Sequence, residues 1–431
     1  MTTNIKAGFA AADITPDRNR QTIYHRLGDR PGNTVPILDR LSVRATAFRN
    51  ADRLAIWAVL DVCVLAAALR SRIVAEFARS GMHADQIVLS STHTHSAPTG
   101  HGFNGIEPMS EEYVTFLVKQ TADTMVAAAE AAQPAKISFG KAFVDLSVNR
   151  RQVGRMATVN CIAAPTGLVD GEVNVAKICL RDGETMGLLF NYAAHPLTMC
   201  PEKGVISADF PGRTIACLRG SGGAEHAQFL QGCAGNVNVK ISGREAADTA
   251  GQILADAVRA AASSAQASAS LDLRVASEVV HLPWVGIPTL AEARQALADA
   301  KTPGSKAQPF YRRPWAENLA RTLEAGRPPD QADVLVQALK VGDAVFLALP
   351  GEVFAEIGLG IKQRAGVEHL FVVAYANNGE IGYIPTAAAF AEGGMEVDAS
   401  PFYYGLFQLA PGCGEILAES ALRVVRTVCA R

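Results

Sequence analysis

No two cysteines in this chain stand at CxxC spacing. The eight cysteines, at positions 63, 161, 179, 200, 217, 233, 413 and 429, are scattered, which argues against a thiolate zinc cluster. They read as reduced, small core residues of a protein that is not exported. The N-terminal residues lack the apolar stretch and cleavage pattern of an export signal, so the expected location is cytoplasmic. The longest apolar run, residues 54–69, carries Asp61 near its middle. It divides into a strand and the start of a helix, and no stable membrane insertion is expected. Charge is scarce as well. Charged residues make up 19% and the formal net charge is -2, without the basic surplus that a nucleic-acid partner requires. Neither an internal repeat nor a low-complexity tract is visible.

What is present is ample core material. With 431 residues and 49% hydrophobic, the chain can fill one large domain or two ordinary ones. Strands are predicted at 5–16, 41–48, 54–62, 135–146, 227–231 and 369–376. Residues 173–180 and 185–193 alternate like a hairpin around Asp182-Gly183, and 334–349 like a strand pair around Gly342-Asp343. Helices are predicted at 65–80, 110–133, 210–219, 246–264, 287–300 and 415–428 from apolar spacing and start signals such as Ser110-Glu111-Glu112. Residues 17–36 form a long polar loop. Residues 265–275 read as a surface crossing, and 301–333 as a polar excursion beside the core. Alternating strands and helices predict an α/β layered fold, a mixed β-sheet core flanked by helices.

Several polar residues share one place in this pattern, the end of an apolar strand. They are Asp61, His93, His95, His195, Glu352 and Tyr383. The strand 86–91 delivers His93 and His95, and on an extended backbone such neighbours point to one side. A second strand runs into His195-Pro196, and a third into Pro350-Gly351-Glu352. In α/β folds such ends gather on one rim. A set of two histidines and a carboxylate suits a catalytic zinc with an open position. A helix-capping role for Asp61 and Glu352, and a core role for Tyr383, are the plain alternatives. His25 and His101 lie in loops that could border the cleft, though a solvated loop histidine is the ordinary case.

Six motifs occur in order: Thr92-His93-Thr94-His95-Ser96, Asn191-Tyr192-Ala193-Ala194-His195-Pro196, Ser207-Ala208-Asp209, Gln231-Gly232-Cys233-Ala234-Gly235-Asn236-Val237, Pro350-Gly351-Glu352 and Gly382-Tyr383-Ile384-Pro385-Thr386. Together they resemble the catalytic domain of the neutral/alkaline ceramidase family. The resemblance runs from about residue 5 to the C-terminus, so 1–431 is expected to be a single catalytic domain without that family's C-terminal accessory domain. It implies one Zn2+ per chain on His93, His195, Glu352 and Tyr383. It also implies a catalytic His95, and an Arg150 that polarises the scissile carbonyl.

Two departures bear on mechanism. Where the family has a serine considered as a nucleophile, Gly235-Asn236-Val237-Asn238 offers no hydroxyl, so metal-activated water is expected to do the hydrolysis. A family tyrosine falls at Met395, and Tyr403 and Tyr404 are the candidates to replace it. Asp61 or Asp209 is expected to orient a ligand imidazole. The expected function is zinc-dependent hydrolysis of a linear N-acyl amide. The open alternatives are an ester or lactone hydrolase and a non-catalytic binding protein of the same fold. The expected partner is a small-molecule N-acyl or ester substrate, with a homo-oligomer left open.

Overall fold

Local chemistry accounts for the first sheet. β1 (Lys6–Asp13), β2 (Ser42–Arg49) and β3 (Leu54–Leu60) pair antiparallel in sequence order. The β2–β3 turn is closed by Asn50, whose Oδ1 accepts from Asp52 N at 3.0 Å and Arg53 N at 2.8 Å, the turn habit of asparagine. Helix Ala67–Ala78 then crosses over to β4 (Gln86–Ser91), which lies parallel to β3. Helix Glu111–Glu130 starts where Ser110 Oγ accepts from Tyr113 N at 3.2 Å, with Glu111 and Glu112 in its first turn. It ends before β5 (Gln133–Pro134), which edges β1. The computed structural model describes residues 5–16, 36–98, 109–151, 167–180, 183–199, 205–220, 224–301, 309–326, 328–404 and 407–430.

The same wiring returns twice. In the second sheet β6 (Lys136–Phe143) is followed by the short β7 (Ser147–Asn149). Next come β8 (Glu172–Cys179) and β9 (Thr185–Tyr192), and β6, β8 and β9 run antiparallel. Helix Asp209–Gly220 leads to β10 (His226–Gln231), parallel to β9. β11 (Val237–Val239) pairs with β7, helix Arg244–Ser263 follows, and β12 (Gln266–Ala267) edges β6.

In the third sheet β13 (Leu273–Val285), β14 (Gln331–Val341) and β15 (Ala344–Ala348) run antiparallel. β16 (Glu352–Val353) and helix Ala355–Ala365 lead to β17 (His369–Val373), parallel to β15. β18 (Tyr383–Ile384) pairs with β16, and β19 (Gln408–Leu409) edges β13. Helix Cys413–Cys429 covers this sheet.

The chain is therefore a threefold structural repeat, three antiparallel strands, a crossover helix and one parallel strand, where the sequence shows none. Only patterning is shared between the units, and patterning leaves no common motif to read.

One face of every sheet turns to a common centre. Trp57 and Val88 from the first sheet, Phe139 and Leu189 from the second, and Phe346 and Phe371 from the third are all buried in one cluster. Phe346 and Phe371 stack at 4.3 Å, and the Trp57 indole donates to Ser90 Oγ at 3.0 Å. Burying each such side chain contributes about 1.5–3 kcal/mol. The outer faces carry the helices, two to a sheet. The expected α/β layered fold, mixed sheet flanked by helices, is the observed one.

Other expectations change. Residues 273–285 form the longest described strand, which takes in the last three residues of the expected surface crossing at 265–275. Apolar Val279 and Val285 are exposed while charged Arg274 and Glu278 are half-buried, so polarity does not alternate with burial and the period of two is hidden. The expected helix at 287–300 is Leu290–Lys301, and the excursion at 301–333 contains helix Pro309–Ala325, which shares with it a small core of Ala293, Leu319 and Ala320, before β14 begins at Gln331. The long loop at 17–36, all but Pro36, and both His25 and His101 lie outside the described residues.

Candidate metal centre

The three parallel strands β4, β10 and β17 end against one another. Ser91 N donates to Tyr375 O at 3.2 Å, Asn377 N to Leu89 O at 2.8 Å, and Ala374 N to Gln231 O at 2.9 Å. These bonds satisfy backbone groups that a closing strand would otherwise leave unpaired. Each repeat then contributes one buried side chain to the meeting point. His93 follows β4, His195 follows β9, and Glu352 opens β16 just past β15.

His93 and His95 do not share a face of an extended strand. β4 stops at Ser91, and His93 takes a left-handed backbone conformation (φ 65°). That bend, uncommon outside glycine, turns the two rings edge to face at 4.7 Å.

The distances define a donor set. His93 Nε2 stands 3.2 Å from His195 Nε2 and 3.2 Å from Glu352 Oε2, and His195 Nε2 stands 3.0 Å from Glu352 Oε2. Donors about 2.0–2.1 Å from a tetrahedral zinc stand about 3.3 Å apart. Glu352 Oε2 is buried and faces the two histidine nitrogens, a costly place for a carboxylate oxygen unless a proton or a metal cation lies between them. Each imidazole is fixed from behind. Cys63 O stands 2.6 Å from His93 Nδ1 and Ala234 O stands 2.5 Å from His195 Nδ1. A carbonyl there selects the tautomer with its proton on Nδ1 and leaves the Nε2 lone pair facing inward. The residues fit a divalent metal ion.

Electrostatics agree. Burial alone would raise the Glu352 carboxyl, but His93 and His195 beside it hold it well below the usual carboxylate range. Burial works against charge on His93, and Cys63 and Glu352 outweigh it, lifting it to about 10. Burial, with Arg150, pushes His195 down to about 4. Without a metal the cluster thus holds one positive charge beside Glu352, on His93.

The remaining expected residues fall around this centre. His95 Nε2 lies 3.1 Å from His93 Nε2, and its pKa lies well below the usual imidazole value through burial and the two neighbouring rings. Tyr383 is Glu352's cross-strand partner in the β16–β18 pair, and its hydroxyl accepts from Arg150 Nη2 at 3.0 Å. Arg150 is buried. It donates through Nη1 to Asn238 Oδ1 at 3.2 Å, through Nη2 to Gly235 O at 2.6 Å, and through Nε to Glu396 Oε1 at 3.1 Å. Asn236 accepts from Ala355 N at 2.9 Å and donates to Glu356 at 2.8 Å, tying the turn after β10 to helix Ala355–Ala365.

The two aspartates do other work. Asp61 accepts from Ser42 N at 2.9 Å, Ser42 Oγ at 3.0 Å and Arg44 at 3.1 Å. Asp209 accepts from Thr198, from Met199 N at 3.0 Å and from Phe210 N at 2.6 Å, at the start of its helix. Backbone carbonyls, not carboxylates, orient the imidazoles, and a carbonyl leaves no mark in sequence.

Tyr404, one of the two tyrosines named as candidates, and two further residues, Tyr375 and Glu396, belong to the site. Tyr404 donates its hydroxyl to Glu352 Oε1. Tyr375 tilts its ring against His93 at 4.3 Å. Glu396 is buried between Arg150 and Arg151. Met395, its neighbour, is a buried core residue.

Fold and site together define a three-sheet α/β protein with a buried metal-competent centre where its repeats meet. Residues 6–219, just under half of the chain, match the family described as neutral/alkaline non-lysosomal ceramidase, N-terminal. Two solved structures share the fold. Neutral ceramidase from Pseudomonas aeruginosa is 18% identical with a TM-score of 0.73, over 99% of this chain and 74% of that one. A ceramidase complexed with C2 is 18% identical with a TM-score of 0.73, over 98% and 75%. No curated protein matches the chain. Among the described residues no helix is long and apolar enough to cross a membrane.

Proposed function

We propose that the chain is a zinc-dependent hydrolase of a linear N-acyl amide, with the ion held by His93, His195 and Glu352 and flanked by Tyr383. The observation that carries this reading is the inward convergence of two histidine Nε2 atoms and one buried carboxylate oxygen at 3.0–3.2 Å. The match of residues 6–219 to the ceramidase family supports the reaction class. A bound divalent ion supplies an acidified water and a Lewis acid for the acyl oxygen.

The chain's own groups do the rest. His95, kept neutral by burial and its ring neighbours, accepts a proton at Nε2 and returns it to the leaving amine. Arg150, fixed by Glu396, Asn238 and Gly235, presents fixed positive charge to the oxygen on which charge develops. Asn238 pairs with Arg150 and has no hydroxyl, so the reading requires no covalent acyl-enzyme.

The test is elemental analysis of the purified protein and of His93→Ala and His195→Ala, followed by turnover of matched N-acyl amines and esters, ceramide among them. Near-stoichiometric zinc lost in both variants, with amide cleavage, supports the proposal. Ester cleavage alone moves the function to an esterase. Metal without turnover of either class leaves a binding protein, and a folded wild type that takes up no metal sinks the mechanism.

A further inference from the structure

Glu352 has two oxygens with different neighbours. Oε2 faces the histidine nitrogens and Oε1 accepts from Tyr404. Tyr404 ends the short helix Ser400–Tyr404 and is almost wholly buried. Its ring lies so close to the backbone that a Cβ on Gly382 would stand 2.8 Å from its Cδ2. Gly382 also takes a positive φ of 77°, so both the close approach and the conformation call for glycine there. The helix that carries Tyr404 leans on the excursion. Trp315 meets Phe402 edge to face at 4.9 Å, and the Arg312 guanidinium lies 4.8 Å from the Phe402 ring centre. A continuous line of contacts therefore runs from helix Pro309–Ala325 through Phe402 and Tyr404 to the metal-facing carboxylate.

We infer that Tyr404 is a positioning residue that confines Glu352 to a single oxygen at the metal, and that helix Pro309–Ala325 holds Tyr404 in that position through Trp315 and Phe402. The inference rests on the metal reading proposed above. A carboxylate whose second oxygen is occupied by a phenol presents one donor. Freed of that phenol, it can rotate and bind through both. Tyr404 thus sets the number of ligands and keeps room at the ion for substrate. The excursion, remote from the donors in sequence, becomes part of the centre's support.

The experiment compares wild type, Tyr404→Phe, Trp315→Ala and a His93→Ala control. Zn2+ affinity is read by competition with a chromophoric chelator, and coordination by the visible absorption of the Co2+-loaded protein. Tyr404→Phe keeps the ring and its packing, and is expected to weaken Zn2+ binding by about 10–100-fold. Its Co2+ bands should lose intensity as coordination number rises. Trp315→Ala is expected to move both readouts the same way, and Trp315→Phe to restore them. Tyr404→Phe with wild-type affinity and spectrum overturns the role of Tyr404. A change in Tyr404→Phe with none in Trp315→Ala overturns the role of the helix. Wild type that binds no Zn2+ overturns the hydrolase reading and this inference together, which separates the two failures.

Discussion

His93 and Tyr375 hold the same place in two different repeats. Each is the second residue after the parallel strand of its sheet, each has a left-handed φ (65° and 56°), and their rings meet at 4.3 Å. The bend that aims a donor at the centre in the first repeat aims a supporting ring at that donor in the third. Tyr375→Phe is expected to keep metal stoichiometry and melting temperature close to wild type. Tyr375→Ala removes a buried ring, which costs about 3–5 kcal/mol, and lets His93 tilt. Denaturant titration and zinc analysis of the two variants check this.

Metal uptake is expected to release protons. In the metal-free cluster His93 is raised to about 10, so below that pH it carries a proton that the ion must displace. Affinity therefore rises with pH, by about tenfold per pH unit for each proton released. Calorimetry in two buffers of different ionisation enthalpy reads the proton count directly. A count of zero contradicts the charge assigned to His93.

The Arg150–Glu396 pair is almost wholly withdrawn from solvent. Removing one member leaves the other charged and buried, which typically costs about 3–5 kcal/mol. Glu396→Ala should lose stability of that order, with a shifted denaturation midpoint and an unchanged slope. Arg150→Ala should in addition lower kcat by about 10²–10³-fold, measured on whichever acyl substrate the wild type cleaves.

Acid sensitivity has a located source. Glu172 lies half-buried between Lys362 and Lys141, at 2.9 Å from each. Burial would raise its carboxyl, but Lys362 above all draws it down to about 2. The folded value is the depressed one, so protons bind the unfolded chain first. The stabilisation is complete above about 4.5, the ordinary value, and is lost as pH falls from there toward about 2. Lys362→Met should flatten the stability–pH curve across that window, read by thermal melts at stepped pH.

Much of this molecule is legible in its sequence because the relevant signals are local. Apolar strands that stop at His93, His195 and Glu352 gave the donors, and alternation around Gly342 gave the β14–β15 pair. What escaped is non-local or carried by backbone. The carbonyls of Cys63 and Ala234 that orient the imidazoles belong to residues with no polar side chain to notice. Glu396 sits in an ordinary-looking segment and matters only because that segment folds back on Arg150. The repeat escaped because three sheets with one topology share no residues that topology alone requires.

The order in which the chain leaves the ribosome gives that repeat a further meaning. The first unit brings His93, the second His195, and only the third brings Glu352. A nascent chain that has completed two sheets owns a pair of imidazoles and no carboxylate to hold an ion between them. The centre comes into being only when the last unit docks and closes the contacts of longest sequence separation, the slowest kind to form. The donor set is thereby complete only in the finished protein, after the ends of all three sheets have fixed the space between the donors.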